Sequence, residues 1–349
     1  MTKWPMAMLA AVIAVSATAA PTTLETIDTE AFSHDVSGAE LPAAIGSLQR
    51  TRVVDFEQGQ FNIAAQYQND EGSTFITLYL YRAGVPNVSL WFDRVVPTIT
   101  SREGFEPEVG NEIVVRPFTP PGHDQNSGLR MSYSPRHGGV AGTAAALAQY
   151  GTWLVKIRAS SNRFGHDTLD QLVDLTLAEF EPPDRVGNPG PAYSVEPCQS
   201  ELAVGAAQQV PASSVEVAPL AMLFQGIGQT VGEDGQVIDP EPVTYCRDSL
   251  STDGYGVYRA NEATGGYVIA LSDAGNVISV GRGTTLLDLA RNSGAPIAIT
   301  FQSSAQNLVF QPFDALPYPE AAIEVVNTQD AIAASDRMGN IQLFLDESE

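Results

Sequence analysis

The sequence predicts an α+β fold of two domains: an antiparallel sheet with two packed helices, followed by a β-rich α+β domain with one disulfide bond. Three observations predict this. Strand-like alternation of apolar and polar residues recurs along the chain, two amphipathic helical stripes occur in its first half, and a Pro- and Gly-rich segment interrupts it near the middle. The length of 349 residues also suits two domains with separate cores.

The first domain is predicted to cover residues 20–182, with a polar lead-in to about Leu48. A strand–turn–strand pattern follows, in which apolar and polar residues alternate on both sides of the turn Asn69–Gly72. Asn87 then precedes residues that form one apolar stripe on a helix, so we expect it to cap that helix. The stripe consists of Val88, Trp91, Phe92, Val95, Val96 and Ile99.

Three further strands are predicted in the first domain, from the segments EIVVRPF, GLRMSYS and TWLVKIRAS. A closing helix is predicted by the apolar spacing in DTLDQLVDLTLAEF, and Pro182 and Pro183 end it. The order of these elements, with FITLYLYRAG before the first helix and YGTWLVKIRASS before the closing one, resembles the Mog1/PsbP-type α+β fold of small exported bacterial proteins over about residues 48–182. The resemblance implies a fold whose members are mostly non-enzymatic, and it carries no residue roles.

The division between the domains is predicted within Glu181–Cys198, which contains five prolines and two glycines. This composition does not suit the interior of a helix or a central strand. We therefore assign residues 183–197 as a linker and residues 198–349 as the second domain, for which no family is recognised. Hairpins are predicted there across Asp234-Gly235 and Ser272–Asn276, with strands in PVTYCRDSL, GYGVYRA, IAITFQSS and NIQLFL and short helices near residues 285–292 and 320–326.

The N-terminus has the order of parts found in a secretory signal peptide. Lys3 provides the positive charge, an apolar stretch from Trp4 to Val15 follows, and Ala17-Thr18-Ala19 forms a small-residue cleavage site. The apolar stretch is shorter than the about 20 residues that a membrane span needs. We predict that residues 1–19 are cleaved off after Ala19, and that a protein without a transmembrane segment is exported to the periplasm or secreted by a bacterium.

The two cysteines, Cys198 and Cys246, are predicted to form a structural disulfide, since an even pair in an oxidising compartment is more often bridged than free. Chain-entropy scaling gives such a bridge roughly 4 kcal/mol of stabilisation. A metal or redox site is the alternative, but the chain has no CxxC motif and no histidine close in sequence to either cysteine.

The formal net charge is −23, from 41 acidic and 18 basic residues. Such an acidic chain is not expected to bind nucleic acid or an anionic membrane surface, because both carry negative charge. Solubility is the simplest consequence of this charge, and it indicates no particular partner.

The segment YSPRHGGVAGTAA, from Tyr133 to Ala145, has the composition of a catalytic or phosphate-binding loop. A His-Gly-Gly run can shape an oxyanion hole, but that role needs a nucleophile, and the chain has no G-x-S-x-G elbow. The glycine spacing matches neither a P-loop nor a dinucleotide-binding motif. A turn after the strand LRMSY is the favoured interpretation, and His137 is kept as a catalytic candidate.

His166 and Asp167, at the start of the closing helix, are the other catalytic candidates, for a Ser-His-Asp arrangement built from distant residues. The simpler interpretation is that Asp167 or Thr168 caps the helix. No histidine has metal-ligand spacing to another His, Cys or Glu. Acidic segments at 70–74 and 232–239 offer oxygen ligands for calcium, although hairpin turns fit both better. No cofactor is expected.

The aromatic residues of the first domain are predicted to lie mainly in its core. An alternative concerns Tyr79 and Tyr81, which are two residues apart in one predicted strand. If both face outwards, they form a partner-binding patch with Arg82.

These observations favour an exported, non-catalytic protein that binds a protein or envelope component, or helps to maintain or assemble the envelope. The observations in question are the export signal, the lack of any motif for a nucleophile, metal, nucleotide or cofactor, and the resemblance of the first domain to the Mog1/PsbP-type fold. The alternative is an exported hydrolase whose site assembles at the cleft between the domains, with His137 or His166 beside a Ser or Asp. The sequence indicates neither the ligand nor the oligomeric state.

Overall fold

The structure is a computed structural model, and it describes residues 20–57, 59–108, 113–136, 139–183, 189–211, 230–231, 237–238, 243–282, 296–337 and 340–344. The predicted signal peptide, His137, the turn at Asp234-Gly235 and the predicted helix at 285–292 lie outside the described residues. Within the described ranges the protein has the predicted α+β fold, with two antiparallel sheet regions.

The first sheet region contains strands β1 (Thr22–Leu24), β2 (Phe32–His34), β3 (Ala39–Leu41), β4 (Ala44–Ile45), β5 (Leu48–Asp55), β6 (Asn62–Gln68), β7 (Thr74–Arg82), β8 (Arg116–Phe118), β9 (Gly128–Tyr133), β10 (Gly142–Tyr150) and β11 (Trp153–Ser161). The spatial order is β1-β5-β6-β7-β11-β10-β9-β8, with β4 paired to β5 and with β2 and β3 as a separate hairpin. The predicted hairpin across the turn after Gln68 is confirmed as β6 and β7.

Two helices cover opposite faces of this sheet. Helix α1 (Val88–Thr100) begins where Asn87 accepts a hydrogen bond from the backbone N–H of Leu90 at 2.9 Å, which confirms the predicted cap. Helix α2 (His166–Glu179) is the predicted closing helix, and its apolar residues pack with Trp153, Val155 and Ile157 of β11. This confirms the prediction that these three residues of β11 share one face of the strand.

Strand β10 is an inner strand of the sheet that the sequence patterns did not predict, because only Thr143 and Tyr150 of its segment GTAAALAQY are of the β-branched or aromatic types common in strands. Ala144, Ala146 and Ala148 belong to the core under α2, whereas Ala145 and Leu147 belong to the core under α1. Small side chains on both faces allow a helix to pack closely on each side of the strand.

The predicted polar lead-in before Leu48 is wrong in one respect, since this segment contains strands. The buried side chain of Arg50, on β5, fixes this segment against the sheet. Its guanidinium donates hydrogen bonds of 2.7 to 3.2 Å to four backbone carbonyls of the lead-in, which satisfies a buried charge without a carboxylate. The four acceptors belong to Ile27, Glu30, Leu41 and Pro42.

The second sheet region contains a short pair, β12 (Thr230–Val231) and β13 (Val237–Ile238), and an eight-stranded sheet in which neighbours along the chain pair in order. This sheet confirms the strands predicted from four quoted segments and the hairpin across Ser272–Asn276; two strands, β19 and β20, were not predicted. Its elements are β14 (Tyr245–Arg247), β15 (Tyr255–Ala260), β16 (Gly266–Leu271), β17 (Asn276–Arg282), β18 (Ile297–Gln302), β19 (Gln306–Phe313), helix α3 (Pro319–Thr328), β20 (Ala333–Asp336) and β21 (Ile341–Leu343).

The disulfide between Cys198 and Cys246 is confirmed, and it joins residues 48 positions apart. It ties the chain before the second sheet to β14, where the backbone N–H of Cys198 also donates to the carbonyl of Arg247 at 2.9 Å. The buried guanidinium of Arg259 lies 3.3 Å from the Cys198 sulfur and 3.0 Å from the Asp248 carboxylate. The bridge is therefore part of a packed, ion-paired core and not an exposed link.

Helix α1 also contacts the second sheet. Trp91, Phe92 and Val95 belong to one buried cluster that includes Tyr258 of β15 and Val277 of β17. Asp93 of the same helix accepts hydrogen bonds from the Tyr258 hydroxyl at 2.6 Å and from Arg247 at 2.8 Å. The helix thus lies between the two sheets, and the core under it is shared by both domains.

A buried histidine, His34, lies on β2 near the N-terminal end of the first domain. The Nε2 atom of His34 lies 2.8 Å from the carbonyl oxygen of Gln60, so this nitrogen carries the proton, and Nδ1 accepts from the Ser37 hydroxyl at 2.7 Å. The ring stands edge-on to Trp153 at a centroid distance of 5.3 Å. Burial lowers the pKa of His34, while the carbonyl of Gln60 and the nearby Asp55 oppose this shift.

We expect His34 to lower the free energy of unfolding in mild acid. Its folded-state pKa lies below 6.5, so its contribution is fully present above pH 6.5 and is lost as the pH falls through the folded value. Urea unfolding at about pH 7.5 and about pH 5.5 should show a smaller loss of stability for His34→Gln than for the wild type. Equal losses in the two proteins would contradict this role of the histidine.

Candidate functional site

A cavity of about 350 Å³ lies where the two domains meet. One wall is the face of the first sheet that is opposite α2, and another is the apolar side of α1. The turn between β16 and β17, with Asp273 and Ala274, completes the cavity from the second sheet.

Four of the residues with polar groups that line the cavity come from two neighbouring strands. Tyr79 and Tyr81 alternate with core residues on β7, and Lys156 and Arg158 alternate with core residues on β11. Lys156 lies directly opposite Tyr79 in the strand register. Strand alternation therefore brings two tyrosines and two cations onto one face, while the residues between them fill the core under α2.

The ammonium group of Lys156 is the most buried charge of the cavity, with 7% of its side chain exposed. Its Nζ atom donates to both the carboxylate and the backbone carbonyl of Asp273, each at 2.9 Å. It also lies 4.5 Å from the centre of the Tyr79 ring and 5.6 Å from that of Tyr81. Burial lowers the pKa of Lys156, and the contact with Asp273 opposes this shift. The ion pair joins the two domains, because Lys156 lies in the first sheet and Asp273 in a turn of the second.

Two glycines allow the turn of the second sheet to come this close. The N–H of Gly84 donates to the carbonyl of Gly275 at 2.9 Å, and a Cβ atom on Gly84 would lie only 2.7 Å from side-chain atoms of Val277 and Gln302. Gly275 has a φ of +89°, which L side chains rarely adopt. Larger residues at these two positions would move Asp273 away from Lys156.

The remaining cations of the cavity, Arg102 and Arg158, have no carboxylate partner among the residues that the structure describes. Arg158 is half-buried, and its guanidinium stacks 5.1 Å from the centre of the Phe105 ring. Burial lowers the pKa of Arg158, and the charge of Arg102 adds to this effect. The cavity thus has three cations and one carboxylate, although the whole chain has a formal net charge of −23.

The hydroxyl group of Tyr81 is also without a partner. The residue is 1% exposed and lines the cavity, yet its oxygen makes no hydrogen bond to any described part of the chain. A buried hydroxyl without a partner carries a free-energy cost of about 1–3 kcal/mol. Tyr67, equally buried on β6, shows the usual arrangement, since its hydroxyl donates to the carbonyl of Pro42 at 3.0 Å.

The catalytic candidates from the sequence do not line this cavity. His166 lies at the exposed start of α2, with its Nδ1 atom 3.1 Å from the Asp167 carboxylate, and the side chains are 41% and 91% exposed. The prediction that Asp167 or Thr168 caps α2 is wrong, because the N-cap is Gly165 and no side chain caps the helix. As His137 lies outside the described residues, its role stays a hypothesis.

The glycine-rich segment that contains His137 has a packing role at its end. Gly142 is the first residue of β10, and a Cβ atom there would lie 2.6 Å from the carbonyl carbon of Gly165. The glycine therefore allows β10 to pass the start of α2. Gly139, near the start of the described part of this segment, has a φ of +76°, a backbone conformation that favours glycine.

Two serine–histidine contacts are present that the sequence analysis did not single out. They join His34 to Ser37 at 2.7 Å and His123 to Ser127 at 2.5 Å. Both serines are buried, so neither is exposed to a substrate, and both contacts are structural. The acidic segment at 70–74 forms the turn between β6 and β7, where Glu71 pairs with Arg163 at 2.8 Å.

The hypothesis of an exposed partner-binding patch is wrong for Tyr81, which is buried. Arg82 lies on the opposite face of β7, with its guanidinium 5.8 Å from the Phe61 ring and 5.9 Å from the Trp153 ring. The prediction that these tyrosines face the core is closer to the structure, although both of them also line a cavity.

Comparisons of the chain with protein-family models, with characterised proteins and with solved structures give no match. Across the described ranges, no helix combines the length and the apolar character that a membrane crossing requires. The disulfide fits a periplasmic or extracellular protein.

Removing the hydroxyl groups of Tyr81 and Tyr67 should change stability in opposite directions. Tyr81→Phe removes an unpaired buried hydroxyl, so we expect an unchanged or higher free energy of unfolding, by up to about 1 kcal/mol. Tyr67→Phe removes one of the two donors to the Pro42 carbonyl, the other being Arg50, and should cost about 1 kcal/mol. Urea unfolding measures both; an equal loss in Tyr81→Phe would show that its hydroxyl does have a partner.

A double-mutant cycle should show that Lys156 and Asp273 are strongly coupled. Asp273→Ala leaves a buried ammonium group unpaired, so we expect a cost of about 3 kcal/mol in the free energy of unfolding. Combining Asp273→Ala with Lys156→Met removes that charge and should restore part of the loss. Simple addition of the two single effects in urea unfolding would contradict the coupling.

Proposed function

We propose that the protein is an exported, non-catalytic binding protein that holds a small anionic ligand in the cavity between its two sheets. The observation that carries this proposal is Arg158, a half-buried cation in the cavity that has no carboxylate partner in the described structure. Lys156 in the same cavity already has Asp273 as its partner.

The physical reason is the cost of removing charge from water. A buried cation is stabilised when an anion or several hydrogen-bond acceptors replace its water shell. Arg50 shows the solution used elsewhere in this chain, where four carbonyl oxygens surround one guanidinium. Arg158 has no hydrogen bond of this kind within the described ranges, and a bound anion would supply the missing acceptors.

The chemistry of the lining supports binding more than catalysis. Among its described residues there is no serine, threonine, cysteine or histidine, and these are the groups on which a hydrolase most often depends. Few polar groups at one end and apolar side chains elsewhere are typical of ligand pockets. The hydrolase hypothesis therefore gains no support from this cavity.

Export remains part of the proposal. It is supported by the predicted signal peptide, with cleavage after Ala19, and by the disulfide, which suits an oxidising compartment. The resemblance of residues 48–182 to Mog1/PsbP-type domains stays a prediction, and it agrees with a binding role without adding a ligand.

The proposed function predicts that small anions raise the melting temperature of the mature, oxidised protein, whereas neutral and cationic analogues of the same size do not. Arg158→Gln should abolish this effect because it removes the unpaired charge. The control is Arg163→Gln, which removes an exposed arginine paired with Glu71. Equal responses to anions, neutral compounds and cations, or an unchanged response in Arg158→Gln, would overturn the proposal.

A further inference from the structure

The cavity residues also indicate the class of anion. Resting on the proposed function, we infer that the ligand is a compact apolar monocarboxylate. Its carboxylate would bind Arg158, and its hydrocarbon body would pack against α1 and β10.

The number of unpaired charges favours a single negative charge. Lys156 and Asp273 neutralise each other at 2.9 Å, so this pair needs no further counter-ion. Arg102 is exposed and keeps its water, which leaves Arg158 as the one half-buried cation without a partner among the described lining residues. A monoanion balances that charge, whereas a dianionic phosphate monoester would place an excess negative charge near Asp273.

The geometry of the donors suits a carboxylate. The guanidinium group of Arg158 presents paired N–H donors that match the two oxygens of a carboxylate. The hydroxyl of Tyr81 is not part of this donor set, because Tyr81 lies opposite Leu154, four residues from Arg158 along β11, and its oxygen is fully buried. Binding would give the Arg158 guanidinium the acceptors that the described chain does not provide.

The other wall of the cavity requires an apolar body. Val95 and Ile99 of α1 and Ala145 of β10 are almost fully buried there and offer no hydrogen bond through their side chains. A sugar or a peptide against this wall would lose its hydrogen bonds with water. The volume of about 350 Å³ lies at the lower end of the range for ligand pockets, which indicates a ligand of the size of a phenylalkanoic or short branched acid.

A matched series of compounds tests this inference by isothermal titration calorimetry on the oxidised mature protein. The series contains 3-phenylpropanoate, 3-phenylpropanol, 3-phenylpropylamine, 3-phenylpropyl phosphate and acetate. We expect 3-phenylpropanoate to bind at least about tenfold more tightly than each of the others, because only it combines one negative charge with an apolar body. Acetate tests the apolar body, and the alcohol, the amine and the phosphate test the charge.

Three variants assign the binding to this cavity. Arg158→Gln should weaken 3-phenylpropanoate binding by about tenfold or more, because it removes the donors to the carboxylate. Tyr67→Phe and Arg163→Gln are the matched controls and should bind as the wild type does. Circular dichroism and the melting temperature of each variant verify that it folds.

The outcomes separate this inference from the proposed function. Tighter binding of 3-phenylpropyl phosphate, lost in Arg158→Gln, would overturn the monocarboxylate and leave anion binding in place. Equal binding of the alcohol, the amine and the carboxylate would overturn both. Binding of no compound in the series, with the variants folded, would overturn the monocarboxylate; the melting-temperature series with other anions then decides the proposed function. Carboxylate binding that is unchanged in Arg158→Gln would show that the carboxylate does not bind in this cavity.

Discussion

The buried contact between Lys156 and Asp273 is the interaction on which the rest of the structure depends. An ammonium group at this depth is stable only with a close partner, and that partner lies on a turn of the other sheet. The turn reaches it because Gly84 and Gly275 let the two backbones meet. The cavity is the space left beside this contact, so the same constraint that holds the domains together also shapes the cavity.

Helix α1 extends this junction along the molecule. Most surface helices bury one face, but α1 has one sheet on each side, and its aromatic residues Trp91 and Phe92 belong to a core shared by both. Asp93 adds polar contacts to Tyr258 and Arg247 of the second sheet. The two domains are therefore distinct in topology but continuous in packing, which suits a rigid cavity between them.

The elements that the sequence predicts well are those with strong local signals. Asn87 caps α1 as expected, and the alternation in TWLVKIRAS assigns Trp153, Val155 and Ile157 to the core. The same alternation places Lys156 and Arg158 on the opposite face of β11. These two cations on one strand face are the sequence feature that could have indicated a site there. It could not indicate the cavity itself, because Asp273 is 117 residues from Lys156 and only the fold brings them together. Strand β10 was not predicted because alanine has a low strand propensity. Its alanines serve packing, since they allow a helix to lie close on each side of the strand.

The separation between Lys156 and Asp273 also has a consequence for the order in which the protein matures. If the chain is exported as proposed, its N-terminal part crosses the membrane first, so the first sheet forms before the second has emerged. At that stage the face with Tyr79 and Lys156 is open to water, where an unpaired ammonium group carries no desolvation cost. Arrival of the turn with Asp273 dehydrates that face and closes it. Association of the two domains and closure of the cavity are thus coupled, and a chain that ends before Asp273 has Lys156 and Arg158 but not the turn that completes the cavity.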